Sequence, residues 1–305
     1  MKKLKKFLAL ALALLSCAIL FTACGDDDSS NSEKPQTGTE QNGETATSVT
    51  TINALLEGKT GKVTVSISTI SKIQTSASGT VTLGSSTLEE AVIDGGDDGA
   101  ILEFKGGGGS VLQVAQNATL IFKNLTLKDD TSLSSQGYPS GYLKFGGNVR
   151  FENCKLYDGV ALKDGANAVF ENCEFISSVS NKYAAWVYAG NVTFKNCSFT
   201  GHRAIKIHEE FNTDVESVVI DGCRFTGLTT KPALAIGDIL STDNTSISIK
   251  NCTVTNCEPW DNVGSAEGID GLYEADTLTA SFTFGIENTT IDGEPSSGLS
   301  PEFRN

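Results

Sequence analysis

The sequence is poor in basic residues, holds only two histidines, and past its first two dozen residues has no apolar run long enough to cross a bilayer. Each scarcity removes a class of function. Lys and Arg number 23 against 37 Asp and Glu, a net of −14. Residues 1–23 carry four lysines and no acid, so without them the balance is 19 against 37, or −18. A field of that sign repels nucleic acid and bare polyanions unless a cation bridges them, so no nucleic-acid partner is expected. A second membrane-spanning helix is excluded, and the two histidines leave one place to look for imidazole chemistry.

What is present begins at the amino end. Met1-Lys2-Lys3-Leu4-Lys5-Lys6 precedes an apolar stretch from Phe7 to Phe21, broken only by Ser16 and Cys17. A charged start, a short apolar core and a small residue before a break form a secretory signal, so residues 1–23 stand outside fold reasoning. Phe21-Thr22-Ala23-Cys24 resembles the bacterial lipobox, whose cysteine is diacylated and becomes the first mature residue. Leu14-Leu15-Ser16-Cys17 is a rival box, but cleavage there would leave Ala18 to Phe21 exposed. Two acyl chains on Cys24 suffice to hold a protein at a membrane. Residues 24–50 lack aromatics and are rich in Asp, Ser, Glu, Gln, Thr and Gly, which suits an acidic tether. Asp26-Asp27-Asp28 is similar to signals that send some lipoproteins to the cell surface, and it serves equally as a solvated spacer. The expected address is the cell envelope, lipid-anchored, at the outer membrane and surface exposed. The expected domains are 1–23 signal, 24–50 tether and 51–305 folded body.

The body repeats itself. Phe122-Lys-Asn124-Leu-Thr-Leu127, Phe151-Glu-Asn153-Cys-Lys-Leu156, Phe170-Glu-Asn172-Cys-Glu-Phe175 and Phe194-Lys-Asn196-Cys-Ser-Phe199 align without gaps. Looser copies start at Ile220, Ile249 and Ile286, so the starts lie 29, 19, 24, 26, 29 and 37 residues apart. Helical repeats keep a fixed length and a 3.6 period, whereas these copies alternate with a period of two. The alternation slips by one at the asparagine, because Cys154 and Leu156 must face inward while Lys155 does not. A bend there is easiest for a residue that tolerates the left-handed region, and the only substitute in the series is glycine. Asn124, Asn153, Asn172, Asn196, Gly222, Asn251 and Asn288 therefore read as one corner, stacked in a ladder.

Strand, turn, strand, corner, short strand and variable loop describe an all-β solenoid, a single-stranded parallel β-helix. The Phe-x-Asn-Cys-x-Phe pattern resembles the right-handed β-helix repeats of the pectin-lyase-like superfamily over about residues 100 to 291. Ile52-Asn-Ala-Leu-Leu56 followed by Val63-Thr-Val-Ser-Ile67 is similar to the capping helix and first strand that open many such proteins. The resemblance specifies fold far more than function, because this scaffold carries lyases, hydrolases, adhesins and stalks.

Cys154, Cys173, Cys197, Cys223 and Cys252 occupy one column, without the close paired spacing of a zinc site. Parallel side-chain directions oppose a disulfide, so buried free thiols are expected. The lyase string Arg-x-Pro-x-x-Arg is missing. Asp97-Asp98 and Gly201-His202-Arg203 echo hydrolase motifs, but they lie several coils apart and Arg203-Ala-Ile-Lys206 has the wrong spacing. No catalytic residue, metal ligand or cofactor is assigned, with calcium left open. Alternation about Ile205 and Ile207 places His202, Lys206 and His208 together on an outward face, as a solvated face or as a contact for an anion or sugar. The loop from Glu258 to Asp276, with Trp260, Asp261, Glu267, Asp270 and Glu274, is where convergent carboxylates would make the chain an enzyme. The expected role is a non-catalytic adhesin or glycan-contacting module with a carbohydrate or cell-surface ligand. The alternative is a polysaccharide lyase or glycoside hydrolase.

Overall fold

Period-two alternation produces strands that each bury one face, and a one-residue slip at every corner makes them coil instead of zigzag. A computed structural model describes residues 41–42, 51–74, 79–105, 110–129, 143–163, 165–209, 214–237, 245–259, 267–275, 282–296 and 302–303. Expectations for the signal segment, Cys24, Trp260, Asp261 and Asp276 fall outside them. Chain contacts separate Met1–Thr37 from Gly38–Asn305, and the solenoid is built by the second unit.

Three parallel sheets form the body, and the rungs make a right-handed parallel β-helix. Sheet 1 runs from Gly61–Ser66 through Leu88–Asp94, Thr119–Lys123, Asn148–Glu152, Asn167–Glu171, Gly190–Lys195, Val215–Asp221 and Thr245–Lys250 to Phe282–Glu287. Sheet 2 takes the chain beyond the corner, for example Lys155–Tyr157, Glu174–Ser177 and Ser198–Gly201. Sheet 3 closes each rung, with Leu143–Gly146, Val160–Leu162, Ala185–Val187, Ile205–His208, Leu234–Gly237 and Tyr273–Ala275 among its strands.

The solenoid starts two rungs earlier than the repeat implies. Val65 and Ile93 head the column that continues through Phe122, Phe151, Phe170, Phe194, Ile220, Ile249 and Ile286. These first rungs carry neither the phenylalanine nor the asparagine by which the copies align. At the second rung Gly95 stands at the corner position, and Oδ1 of Asp94 just before it accepts Asn124 Nδ2 at 3.0 Å, which founds the ladder. In place of the expected capping helix stands a single 3₁₀ turn, Ile52–Leu55, with Ile52 and Leu55 buried. Gln41–Asn42, within the segment expected as tether, pairs in parallel with Val63–Thr64. At the other end Glu294–Pro295 folds back antiparallel on Thr290–Ile291, and Glu267–Ile269 on Tyr273–Ala275. Antiparallel returns and a proline shorten the exposed edge that would template association.

Stacked rings fill the tube. Phe122, Phe151, Phe170 and Phe194 lie nearly parallel at centroid separations of 5.1, 4.7 and 5.0 Å, and Phe175, Phe199 and Phe225 follow at 4.6 and 4.8 Å. At the corner all six asparagines adopt φ between 46° and 55°, and Gly222 adopts 66°. Asn153 Nδ2 donates to Asn124 Oδ1 at 3.2 Å and Asn172 Nδ2 to Asn153 Oδ1 at 3.4 Å. Gly222 interrupts the series: a Cβ there would sit 2.5 Å from Asn196 Oδ1, and Asn251 Nδ2 donates to Asp221 Oδ1 instead, at 2.8 Å.

The five column cysteines are free and buried. They are more than apolar filling, since each thiol donates to a carbonyl one rung back: Cys154 to Phe122 O at 3.3 Å, Cys173 to Phe151 O at 3.4 Å, Cys197 to Phe170 O at 3.5 Å. Neighbouring thiols and burial hold Cys173 and Cys223 above the usual thiol range. A second ladder, three residues before the aligned phenylalanines, stands where sheet 3 returns to sheet 1: Asn167 Nδ2 donates to Asn148 Oδ1 at 3.1 Å and Asn191 Nδ2 to Asn167 Oδ1 at 3.2 Å.

Candidate functional site

Between sheets 1 and 2 the corner spans one or two residues from the third rung onward, whereas the connections into and out of sheet 3 include 130–142, 178–184, 209–214, 238–244 and 256–266. Variable loops on a rigid frame are where binding groups collect, and here they flank sheet 3. Register gives its outward column as Val111, Lys144, Ala161, Trp186, Lys206, Ala235 and Glu274. An outward strand face is solvated by default, yet Lys144, Ala161, Trp186, Ala235 and Glu274 are all buried.

Charge sharpens the contrast. The buried charged side chains among the described residues are Lys144, Lys182, Glu209 and Glu274, and each lies on sheet 3 or in a turn that enters or leaves it. Burying a charge costs free energy unless it is paired or hydrogen-bonded, and Glu209 Oε1 accepts Val215 N at 3.0 Å while Glu274 Oε1 meets Lys231 Nζ at 2.8 Å. Around them Tyr183, Trp186 and Tyr188 pack with Ala161 and Ala235 as an apolar cluster separate from the main core. Trp186 and Tyr188 stack at 5.2 Å, and His208 stands edge-on to both at 6.1 Å. Lys163 Nζ lies 4.6 Å from the Tyr188 ring centre and the Arg203 guanidinium 5.3 Å from that of Tyr183.

The three residues expected on one strand divide. Lys206 and His208 share the outward face of Ile205–His208, alternating with buried Ile205 and Ile207. His202 does not join them. It follows the sheet 2 strand Ser198–Gly201, and its Nδ1 lies 2.8 Å from Thr229 Oγ1 in the next rung. The separation is fixed by the backbone: His202 N donates to Ser177 O and Ala184 N to Arg203 O, so the corner falls between His202 and Ile205. Gly201 enters that corner at φ 103°, where a Cβ would collide with Ser177 O. Alternation counted back from Ile205 runs through Ala204 and Arg203, which lie in the corner between Ser198–Gly201 and Ile205–His208, and so places all three on one strand.

Other candidates scatter. Asp97 and Asp98 line a recess of about 320 Å³ with Asn124, Thr126, Asn153 and Lys155, at the corner of sheets 1 and 2 and away from His202. In the loop from Glu258, that residue and Asp270 are exposed while Glu274 is buried. No group of three His, Cys, Asp or Glu suited to a metal ion occurs among the described residues. The aromatic cluster was legible only in part, because Trp186 and Tyr188 lie in and just past the strand Ala185–Val187, which is too short for alternation to give their direction. The signal that could have found it is three aromatics within six residues beside the longest-looped face.

Residues 140–299 match the family model described as a right handed beta helix region. Two solved structures of the pectin methylesterase from Aspergillus niger, in deglycosylated and penultimately deglycosylated forms, are similar at 11% identity. Each covers 82% of this chain and 84% of that one, with TM-scores of 0.46 and 0.45. No curated protein matches.

Proposed function

The chain belongs to the right-handed beta helix family, and since such a scaffold leaves function to the groups on its outer faces, we propose that it is a lipid-anchored surface module binding a carbohydrate on the outer face of sheet 3. The observation that carries this is the collection of Lys144, Lys182, Glu209 and Glu274, the buried charges among the described residues, around an aromatic cluster outside the main core. A tube needs none of these for its own stability, and costly buried polar groups gather where a ligand uses them. The stacked Trp186 and Tyr188 form rigid apolar backing, and the half-buried Lys206 and His208 at its edge supply polar contacts. Sugar rings, with apolar C–H faces and a rim of hydroxyls, match that pairing.

Diacylation of Cys24 would carry the body to the outer membrane with the segment behind it as spacer. The test is a panel of immobilised polysaccharides probed with the mature chain and with Lys206→Ala/His208→Ala. Binding by the parent and its loss in the double variant supports the reading; no binding to any member of the panel ends it. Release of reducing ends or unsaturated products in the same wells would establish instead the alternative, a carbohydrate-active enzyme. Metabolic acyl labelling that survives Cys24→Ser and disappears in Cys17→Ser would move the anchor.

A further inference from the structure

Resting on the glycan reading above, we infer that Glu274 makes the sheet 3 site select an uncharged, hydroxyl-bearing saccharide over a uronate or a sulfated one. Glu274 follows Lys206 and Ala235 in the outward column, and Ala235 is itself part of the aromatic cluster, so the carboxylate stands at the border of that cluster. Its side chain is 6% exposed. One oxygen, Oε1, is held by Lys231 Nζ at 2.8 Å, and the other, Oε2, is buried with no hydrogen-bond partner among the described residues.

A buried carboxylate oxygen without a donor is costly and calls for an explanation. Lys231 cannot be the whole of it, because it serves the other oxygen. Of the cations nearby, Lys231 is engaged by Glu274, Lys163 lies over Tyr188, and Arg203 lies over Tyr183 with its buried Nε without a hydrogen-bond partner among the described residues. The open polar valence that Glu274 itself offers is an acceptor carrying negative charge. A sugar hydroxyl satisfies it by donating a hydrogen bond while the ring packs on apolar surface. A ligand carboxylate or sulfate brings a second negative charge and no proton to donate. The acidity of the whole chain, −14, acts in the same direction.

The experiment is competition on the full mature chain between neutral oligosaccharides (gluco-, manno- and xylo-hexaoses) and their charged counterparts (oligogalacturonides and sulfated oligosaccharides of similar length), read by calorimetry. The parent protein is expected to bind a neutral probe and to leave it bound when charged probes are added. Glu274→Gln is expected to weaken the neutral probe roughly tenfold or more, the scale of a hydrogen bond to a charged acceptor, and to narrow the discrimination. Tighter binding of an acidic probe by the parent protein overturns the inference while the glycan reading stands, and so does an unchanged profile in a folded Glu274→Gln protein. Absence of binding to every saccharide removes both. The competition by the parent chain needs no variant, so poor folding of Glu274→Gln does not protect the idea.

Discussion

The corner between sheets 1 and 2 and the outer face of sheet 3 belong to the same rungs yet follow opposite rules. At the corner one residue type and one backbone conformation recur, with asparagine φ values within ten degrees of each other and side chains bonded from rung to rung. On sheet 3 no two successive outward positions agree: lysine, alanine, tryptophan, lysine, alanine and glutamate follow one another in a single column. Repetition answers to the tube, which presents the same problem at every rung. Variation answers to something outside the tube, because a stack of identical rungs has no need of it.

The comparison can be broken most forcefully in the core behind the corner. Phe170 is fully buried between Phe151 and Phe194, and Phe170→Ala should cost about 3–5 kcal/mol through lost burial and the cavity left behind. Urea unfolding measures this; a loss under about 1 kcal/mol would mean that the rings do not carry the stack. Next comes the corner itself. Asn172→Ala leaves at φ 55° a residue without the polar side chain that lets asparagine tolerate the left-handed region, and removes the amide bond to Asn153, which should cost about 2 kcal/mol. Asn172→Gly keeps the conformation and should recover half or more of that. Equal losses in the two variants would show the hydrogen bond, not the backbone, to be what matters.

On sheet 3 the same measurements should move little. Lys206→Ala/His208→Ala removes half-buried groups from an outward face, with an expected cost under about 1 kcal/mol and a loss of carbohydrate binding. Destabilisation as large as that of Asn172→Ala would make this face part of the frame and dissolve the contrast. The smallest effect concerns charge on sheet 1. Glu171 accepts from Lys195 Nζ at 2.9 Å and from Arg150 at 2.8 Å, and these bonds, that of Lys195 foremost, hold its carboxyl below the ordinary value of 4.5. A lowered native value means stability that is present above pH 4.5 and lost as pH falls through the native value. Because the group is open to solvent, the melting temperature of Glu171→Gln should fall only slightly below that of the parent at neutral pH. The gap should close on acidification and shrink in salt.

Legibility followed the same division. The Phe-x-Asn-Cys pattern revealed the corner, the inward columns and the free thiols, because each is a local requirement that recurs. It did not reveal the first two rungs, where Asp94-Gly95 turns the chain without asparagine. The Asn148, Asn167 and Asn191 ladder also escaped, because only these three copies carry asparagine at that position, the others having threonine or serine. His202 was misplaced because alternation counted back from Ile205 ran through Ala204 and Arg203, corner residues that belong to neither strand.

By itself the sequence determined the coil: the two-residue period, the slip at asparagine and the apolar columns are properties of neighbours in the chain, and a repeated local rule stacks into only one kind of object. Which side chains meet on the outside was decided by the tertiary structure. Trp186, Lys206 and Glu274 come from separate strands joined by loops of unequal length. Only the register of sheet 3 brings them into one column, and no local periodicity encodes that register.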